Sequence, residues 1–284
     1  HGALRRPYRD LRDRCVRLAH ALVRQGIGRG DVVAALLPNV PAMLEAHFGV
    51  PMAGAVLNGL NTRLDAGTIA YILEHGEAKA VIVERELIPL LRAALALTAA
   101  RPAVIEVADD TTPEAARGET LGGTDYETLL AGGDAGFAWP IPADEWDAIA
   151  LNYTSGTTGN PKGVVYHHRG AHLLAVGNVL SAAIPRHPVH LWTLPMFHCN
   201  GWCFPWTVTA LAGTHVCLRA VRGPEMWQLM AAERVSHMCG APVVMATLLN
   251  TPEAEKRPLE RSVTFLVAAA PPPVIRSRPA TMPS

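Results

Sequence analysis

The chain has 284 residues, 49% of them hydrophobic and 18% charged, which excludes a disordered polymer. Lys plus Arg and Asp plus Glu stand at 25 each, so no global field draws the protein to nucleic acid or an anionic membrane. No apolar run reaches the roughly 18 residues of a membrane span, and five scattered cysteines fit free thiols in a reducing cytosol better than a disulfide framework.

The first residues, "HGALRRPYRDLRDRC", lack a signal-peptide apolar region and pass at once into a helical pattern, as expected of a chain that begins inside a domain. Leu11, Cys15, Leu18, Ala19, Leu22 and Val23 predict one helix face over 8–25, stopped by Gly26. "VVAALL" (32–37) reads as a buried strand, and Asn39 is the expected cap of a helix to about 49. A strand over 55–61, a helix from the cap Asp65 to His75, a strand over 80–84, a helix over 86–96 and a strand near 103–107 follow. Between 109 and 147 the pattern weakens into Gly, Pro and acids around one short helix. This predicts a surface connection, a subdomain break and a solvated acidic face.

Alternation resumes with strands over 148–153, 190–194, 214–219, 237–239 and 264–269, and helices over 169–183 and 224–233. Strands separated by helices predict an α/β fold of mostly parallel sheets covered by helices.

Directly after strand 148–153 comes "TSGTTGNPKG". Glycines let a backbone approach a ligand closely. Hydroxyls and free N–H groups donate to phosphate oxygens, and a lysine adds a mobile positive charge. At the carboxyl end of a sheet strand, such a loop is a polyphosphate cradle. It is not the Walker pattern, which needs Gly-Lys-Ser/Thr where Pro161-Lys162-Gly163 stands.

The order T-S-G-T-T-G-x-P-K-G is met at every position from Thr154 to Gly163, and in this the chain resembles the adenylate-forming (AMP-binding) superfamily. The stretches 26–64, 194–219 and 236–250 extend the resemblance over nearly the whole chain. The second and third look most like the acyl-CoA synthetase branch with its medium-chain and methylmercaptopropionate–CoA ligases. The resemblance implies part of the large N-terminal domain over 1–273, without the small C-terminal domain. It implies ATP-driven activation of a carboxylate, with Mg²⁺, followed by transfer of the acyl group to CoA. Thr154, Ser155, Gly156, Thr157, Thr158, Gly159 and Lys162 are then expected to bind phosphates, and Lys162 and His198 to take part in the chemistry. Ala269, Ala270 and Pro271 stand where the family stacks a Gly-Ala-Pro loop beside adenine, with Ala in place of the usual Gly.

His198, Trp202, Gly240 and Ala241 are expected at the acid site. Trp202, Phe204 and Trp206 fit an acyl tunnel or an ordinary core cluster, and Gly240 and Ala241 fit either room for an acyl chain or packing against a helix. A metal site at His198, Cys199 and Cys203 is disfavoured, because no second ligand pair is spaced to complete it. "YHHRG" (166–170) reads as polar residues opening a helix. The expected partner is a small aliphatic carboxylate, with no nucleic acid and no membrane span.

The family's later Glu for Mg²⁺, its ribose-binding Asp and its C-terminal catalytic Lys have no counterpart, and 274–284 read as an irregular, frame-shifted tail. The expectation is therefore an acyl-CoA synthetase truncated at both ends and impaired alone. A non-catalytic nucleotide- or acyl-binding remnant is the alternative, and an unrelated P-loop-like ATPase is the weaker one.

Overall fold

Residues 1–154 and 160–268 are described in the computed structural model. In α1 (Tyr8–Arg24) the spaced apolar residues Cys15, Leu18, Ala19 and Leu22 lie buried on one side. Gly26 ends the helix at φ 78°, a conformation that costs glycine little. Then come β1 (Val32–Leu36), α2 (Pro41–Met52), β2 (Val56–Gly59), α3 (Ala66–His75), β3 (Ala78–Glu84), α4 (Ile88–Leu95) and β4 (Ala103–Val107). With β5 (Thr124–Asp125), α5 (Tyr126–Ala131), β6 (Ala148–Tyr153) and β7 (Gly163–His167), they form a seven-stranded sheet ordered β5-β4-β3-β1-β2-β6-β7. Every pairing in it is parallel except β6 with β7.

The apolar runs are unbroken because both sheet faces are covered. On β1, Val33 and Ala35 join the core that contains Leu18 and Met43 from α1 and α2. Ala34 and Leu36 join the opposite core with Ile69 of α3 and Leu91 of α4. α1 and α2 touch closely at Gly49, where a Cβ would lie 2.7 Å from Leu18 Cδ2 and 2.9 Å from the Cys15 carbonyl oxygen. Asp65 caps α3 as expected, its carboxylate accepting from Thr68 N–H at 3.0 Å.

From α6 (His168–Ser181) the chain enters a four-stranded parallel sheet ordered β11-β10-β8-β9. Its strands are β8 (Val189–Trp192), β9 (Thr214–Cys217), β10 (His237–Gly240) and β11 (Thr264–Val267). Met226, Met230 and Val244, from helices Gly223–Ala232 and Pro242–Leu249, cover Leu191, Val216 and Met238.

Several expectations are corrected. Asn39 is not a helix cap: Val40 takes that position. Buried Asn39 instead donates to the Trp192 and Leu194 carbonyls at 2.8 and 3.0 Å and accepts from Met196 N–H at 2.8 Å. One carboxamide thereby satisfies three main-chain groups of a buried bend, which outweighs a single cap bond. Strand β7 fills 163–167, where no strand was expected. Its last residue, His167, caps α6 by accepting from Gly170 N–H at 2.9 Å. The 109–147 connection carries β5, an edge strand of the first sheet, and α5, and the second sheet begins after α6. Its acids are mostly exposed, but Asp109 is drawn inward, 3.0 Å from His1 and 3.8 Å from Arg219.

Candidate functional site

β6 delivers Thr154 at its carboxyl end, and β7 brings Lys162 back beside it. Tyr153 pairs with Gly163, and the Thr154 N–H donates to the Lys162 carbonyl at 3.0 Å. The two strands thus form a hairpin whose mouth carries an exposed Thr154 and an exposed Lys162. Ser155, Gly156, Thr157, Thr158 and Gly159 lie outside the described residues.

Behind the mouth, buried Asn152 ties the hairpin to the segment that carries His198. Its amide donates to the Phe197 carbonyl at 3.1 Å, and its Oδ1 accepts from Asn200 Nδ2 at 2.8 Å. The same segment crosses the end of β2 so closely that a Cβ on Gly59 would sit 3.0 Å from Phe197 Cα. Asn39, just past β1, holds its start at 192–196. The carboxyl ends of three parallel strands, β1, β2 and β6, therefore converge on 192–200. This edge is where α/β sheets place ligands.

His198 is exposed and precedes the half-buried Cys199. Interaction with the neighbouring thiol raises the imidazole pKa above its ordinary value, and the imidazole lowers that of the thiol. Burial, then the thiols of Cys199 and Cys203, push the Tyr166 pKa up to about 12. Among the described residues no group of three or more His, Cys, Asp or Glu side chains could hold a metal ion.

Trp202 is half-buried against the main core, and its carbonyl accepts from Asn178 Nδ2 at 2.8 Å. Phe204 is buried in that core, and Trp206 donates to the His47 carbonyl at 3.2 Å. Gly240 ends β10, and a Cβ there would meet Val244 at 3.1 Å and Phe265 at 3.3 Å, so its small size serves packing. Ala241 follows it as the N-cap of helix Pro242–Leu249. The Thr193 hydroxyl donates to the Cys239 carbonyl at 2.7 Å, which brings the end of the second sheet to the 192–200 segment. β11 runs parallel beside Gly240, while Ala269, Ala270 and Pro271 lie outside the described residues. Sequence reasoning missed Asn152, Asn178 and Asn39 as parts of this site, because their partners lie 24 to 157 residues away.

Comparison with known proteins bears on this geometry. A model of the "AMP-binding enzyme" family matches residues 4–279. An acetate/butyrate–CoA ligase of Arabidopsis thaliana is 47% identical over 97% of this chain and 50% of its own length. A 2-methylpropanoate–CoA ligase of Humulus lupulus is 45% identical over 92% of this chain and 47% of its own. The chain thus spans about half the length of the curated relatives it matches. The N-terminal domain of FACL13 from Mycobacterium tuberculosis superposes with a TM-score of 0.78 at 26% identity, over 96% of this chain and 65% of that one. A luciferase-like enzyme of the Zophobas morio mealworm shares the fold at TM-score 0.79 and 21% identity, over 93% and 60%. The hydroxyl–glycine–lysine sequence that follows β6, this fold and the family match agree: the chain belongs to the AMP-binding enzyme family, and the relatives it is similar to are acyl-CoA ligases.

Proposed function

We propose that this chain forms the nucleotide- and carboxylate-binding part of an ATP-dependent acyl-CoA ligase acting on short aliphatic acids. The observation that carries the reading is the bonded path from the Thr154–Lys162 hairpin through Asn152 to the segment bearing His198. It sets Thr154, Lys162 and His198 on one sheet edge, which supports reading them as phosphate donors and an acid-site histidine.

The chemistry is a two-step exchange. A carboxylate oxygen attacks the α-phosphorus of ATP, the bond to the β-phosphate oxygen breaks, and pyrophosphate leaves. The CoA sulfur then attacks the acyl carbon, its proton goes to solvent, and AMP leaves. Thr154 and Lys162 stabilise the negative charge that builds as pyrophosphate departs. Exposed donors of this kind fit a triphosphate. Mg²⁺ would supply further charge neutralisation, and the described residues contain no acidic cluster to hold it. Short acids are proposed because the relatives' names specify acetate, butyrate and 2-methylpropanoate. Two relatives are named as peroxisomal, which sets that compartment beside the cytosol expected from free thiols.

The test is carboxylate-dependent exchange of pyrophosphate into ATP by the full-length protein that contains this chain, across acids from acetate upward. Lys162→Ala should slow exchange by about 100-fold, the usual scale for one donor on a developing charge. An unchanged rate removes the hairpin from the mechanism, and steady formation of ADP without AMP supports an unrelated ATPase instead. A second reading is that the 284-residue chain, taken alone, binds nucleotide without turnover. Calorimetric titration of the folded chain with Mg·ATP decides it, absence of heat at millimolar ATP counting against that reading.

A further inference from the structure

Cys199, Asn200, Gly201, Trp202 and Cys203 are five consecutive residues with φ between 50° and 63°. Four of them carry side chains, and each is disfavoured in this left-handed conformation. Within the turn, Gly201 N–H donates to the His198 carbonyl at 3.0 Å and Cys203 N–H to the Asn200 carbonyl at 2.9 Å. Gly201 is required, since a Cβ there would lie 2.7 Å from the Trp192 ring. Such a segment persists only where its surroundings over-determine it.

The surroundings that do so are two asparagines from other elements. Asn152 of β6 accepts from the Asn200 side chain at 2.8 Å and donates to the Phe197 carbonyl at 3.1 Å, so it grips the segment on both sides of His198. Asn152 and Asn200 are 7% and 1% exposed, where water offers no substitute partner. Asn178 of α6 grips the far end, donating to the Trp202 carbonyl at 2.8 Å and to Thr207 Oγ1 at 3.1 Å. Because Asn152 lies two residues before Thr154 on the same strand, the grip references the turn to the phosphate hairpin.

We infer that Asn152 and Asn178 are positioning residues: they clamp the left-handed turn 199–203 and so fix His198 and Trp202 relative to the Thr154–Lys162 hairpin. The role in acid recognition rests on the acyl-CoA ligase reading above, whereas the clamp stands on the geometry alone.

Two readouts on the full-length protein separate these parts. The first is the rate at which iodoacetamide alkylates Cys199, followed by peptide mass mapping. Cys199 is half-buried, while Cys15, Cys203, Cys217 and Cys239 are buried and report global unfolding. Asn152→Ala and Asn178→Ala should each speed alkylation of Cys199 at least five-fold with the other four thiols unreacted. Should Asn152→Ala fail to fold, Asn178→Ala carries the test, since alanine suits the helix it occupies. An unchanged Cys199 rate in the folded Asn178→Ala variant overturns the clamp. The second readout is pyrophosphate exchange. Asn178→Ala should raise the KM for the carboxylate at least five-fold and leave the KM for ATP within two-fold. Faster alkylation with an unmoved carboxylate KM in an active enzyme overturns the positioning role and leaves local packing. If the unsubstituted protein shows no carboxylate-dependent exchange, the ligase reading fails, and alkylation alone then decides the clamp.

Discussion

Glu45 on α2 has no solvent exposure, yet it carries a carboxylate in the main core. Three groups hold it: Arg6 at 2.7 Å, Arg14 at 2.8 Å and the Tyr126 hydroxyl at 2.8 Å. Burial, then the Glu45 charge, drives the Tyr126 pKa well above its ordinary value, so the phenol stays a donor. Arg14 passes on to Glu127 at 2.6 Å, which links α1, α2 and α5 through one guanidinium. Removing one member of a buried ionic group strands the others, typically at a cost of about 3–5 kcal/mol. Glu45→Ala is therefore expected to lower stability by about that amount, read as a shift of the urea midpoint. The exposed pair Arg29–Asp147, at 2.9 Å, is the control. Arg29→Ala should leave the midpoint in place, because an exposed pair gains little against solvent screening. Equal shifts in the two variants would show that Glu45 is not the node described.

At the scale of elements, two helices use glycine for opposite reasons. Gly49 lets α2 press onto α1, and its missing Cβ would collide with Leu18 and with the Cys15 carbonyl. Gly177 in α6 has open space where a Cβ would go. Gly49→Ala should therefore cost about 1–3 kcal/mol by overpacking, and Gly177→Ala should add up to about 1 kcal/mol by restricting the unfolded chain. Thermal unfolding of the two variants checks the pair, and a fall in Tm for Gly177→Ala would contradict the open-space assignment. The same contrast explains what the sequence made legible. β1 and β3 were readable because burial on both faces leaves an unbroken apolar run, and α3 because its cap lies three residues from its donor. β7 escaped notice because Gly163, Val164 and Val165 are exposed, so no alternation marks a buried face. The turn 199–203 has one glycine to betray five left-handed residues. Its holding asparagines look like ordinary polar positions until the chain brings distant segments together. The hairpin's chemical character was legible from residue types, while the bonds that orient it toward His198 were not.

Across the whole molecule, the seam between the two sheets is packed with histidines that burial keeps neutral. His47 of α2 lies edge-on to Trp206, with Nδ1 bonded to the Met43 carbonyl at 2.8 Å and Nε2 without a partner. His190 of β8 stacks on Phe204 and meets Trp192, and neither of its ring nitrogens has a protein partner. Burial lowers His47 to about 4 and both His190 and His215 to about 3, against an ordinary value of 6.5. Below pH 6.5 the unfolded chain therefore binds protons that the folded chain refuses, and stability falls as pH falls. The loss runs from about 6.5 down to the folded values, at up to about 1.4 kcal/mol per pH unit for each histidine. Three such groups remove up to about 4 kcal/mol per unit, against a total stability of only about 5–15 kcal/mol. The unfolding temperature should accordingly be nearly flat from pH 8 to 7 and drop steeply between pH 6.5 and 5. His190→Phe keeps the ring stack and deletes one of the three titrating groups, so it should lower that slope by about a third with little loss at pH 7. An acid slope unchanged by His190→Phe would mean that His190 is not the group whose protonation unfolds the seam. A flat profile in the unsubstituted protein would mean that all three histidines accept protons in place, and the seam would have to admit water.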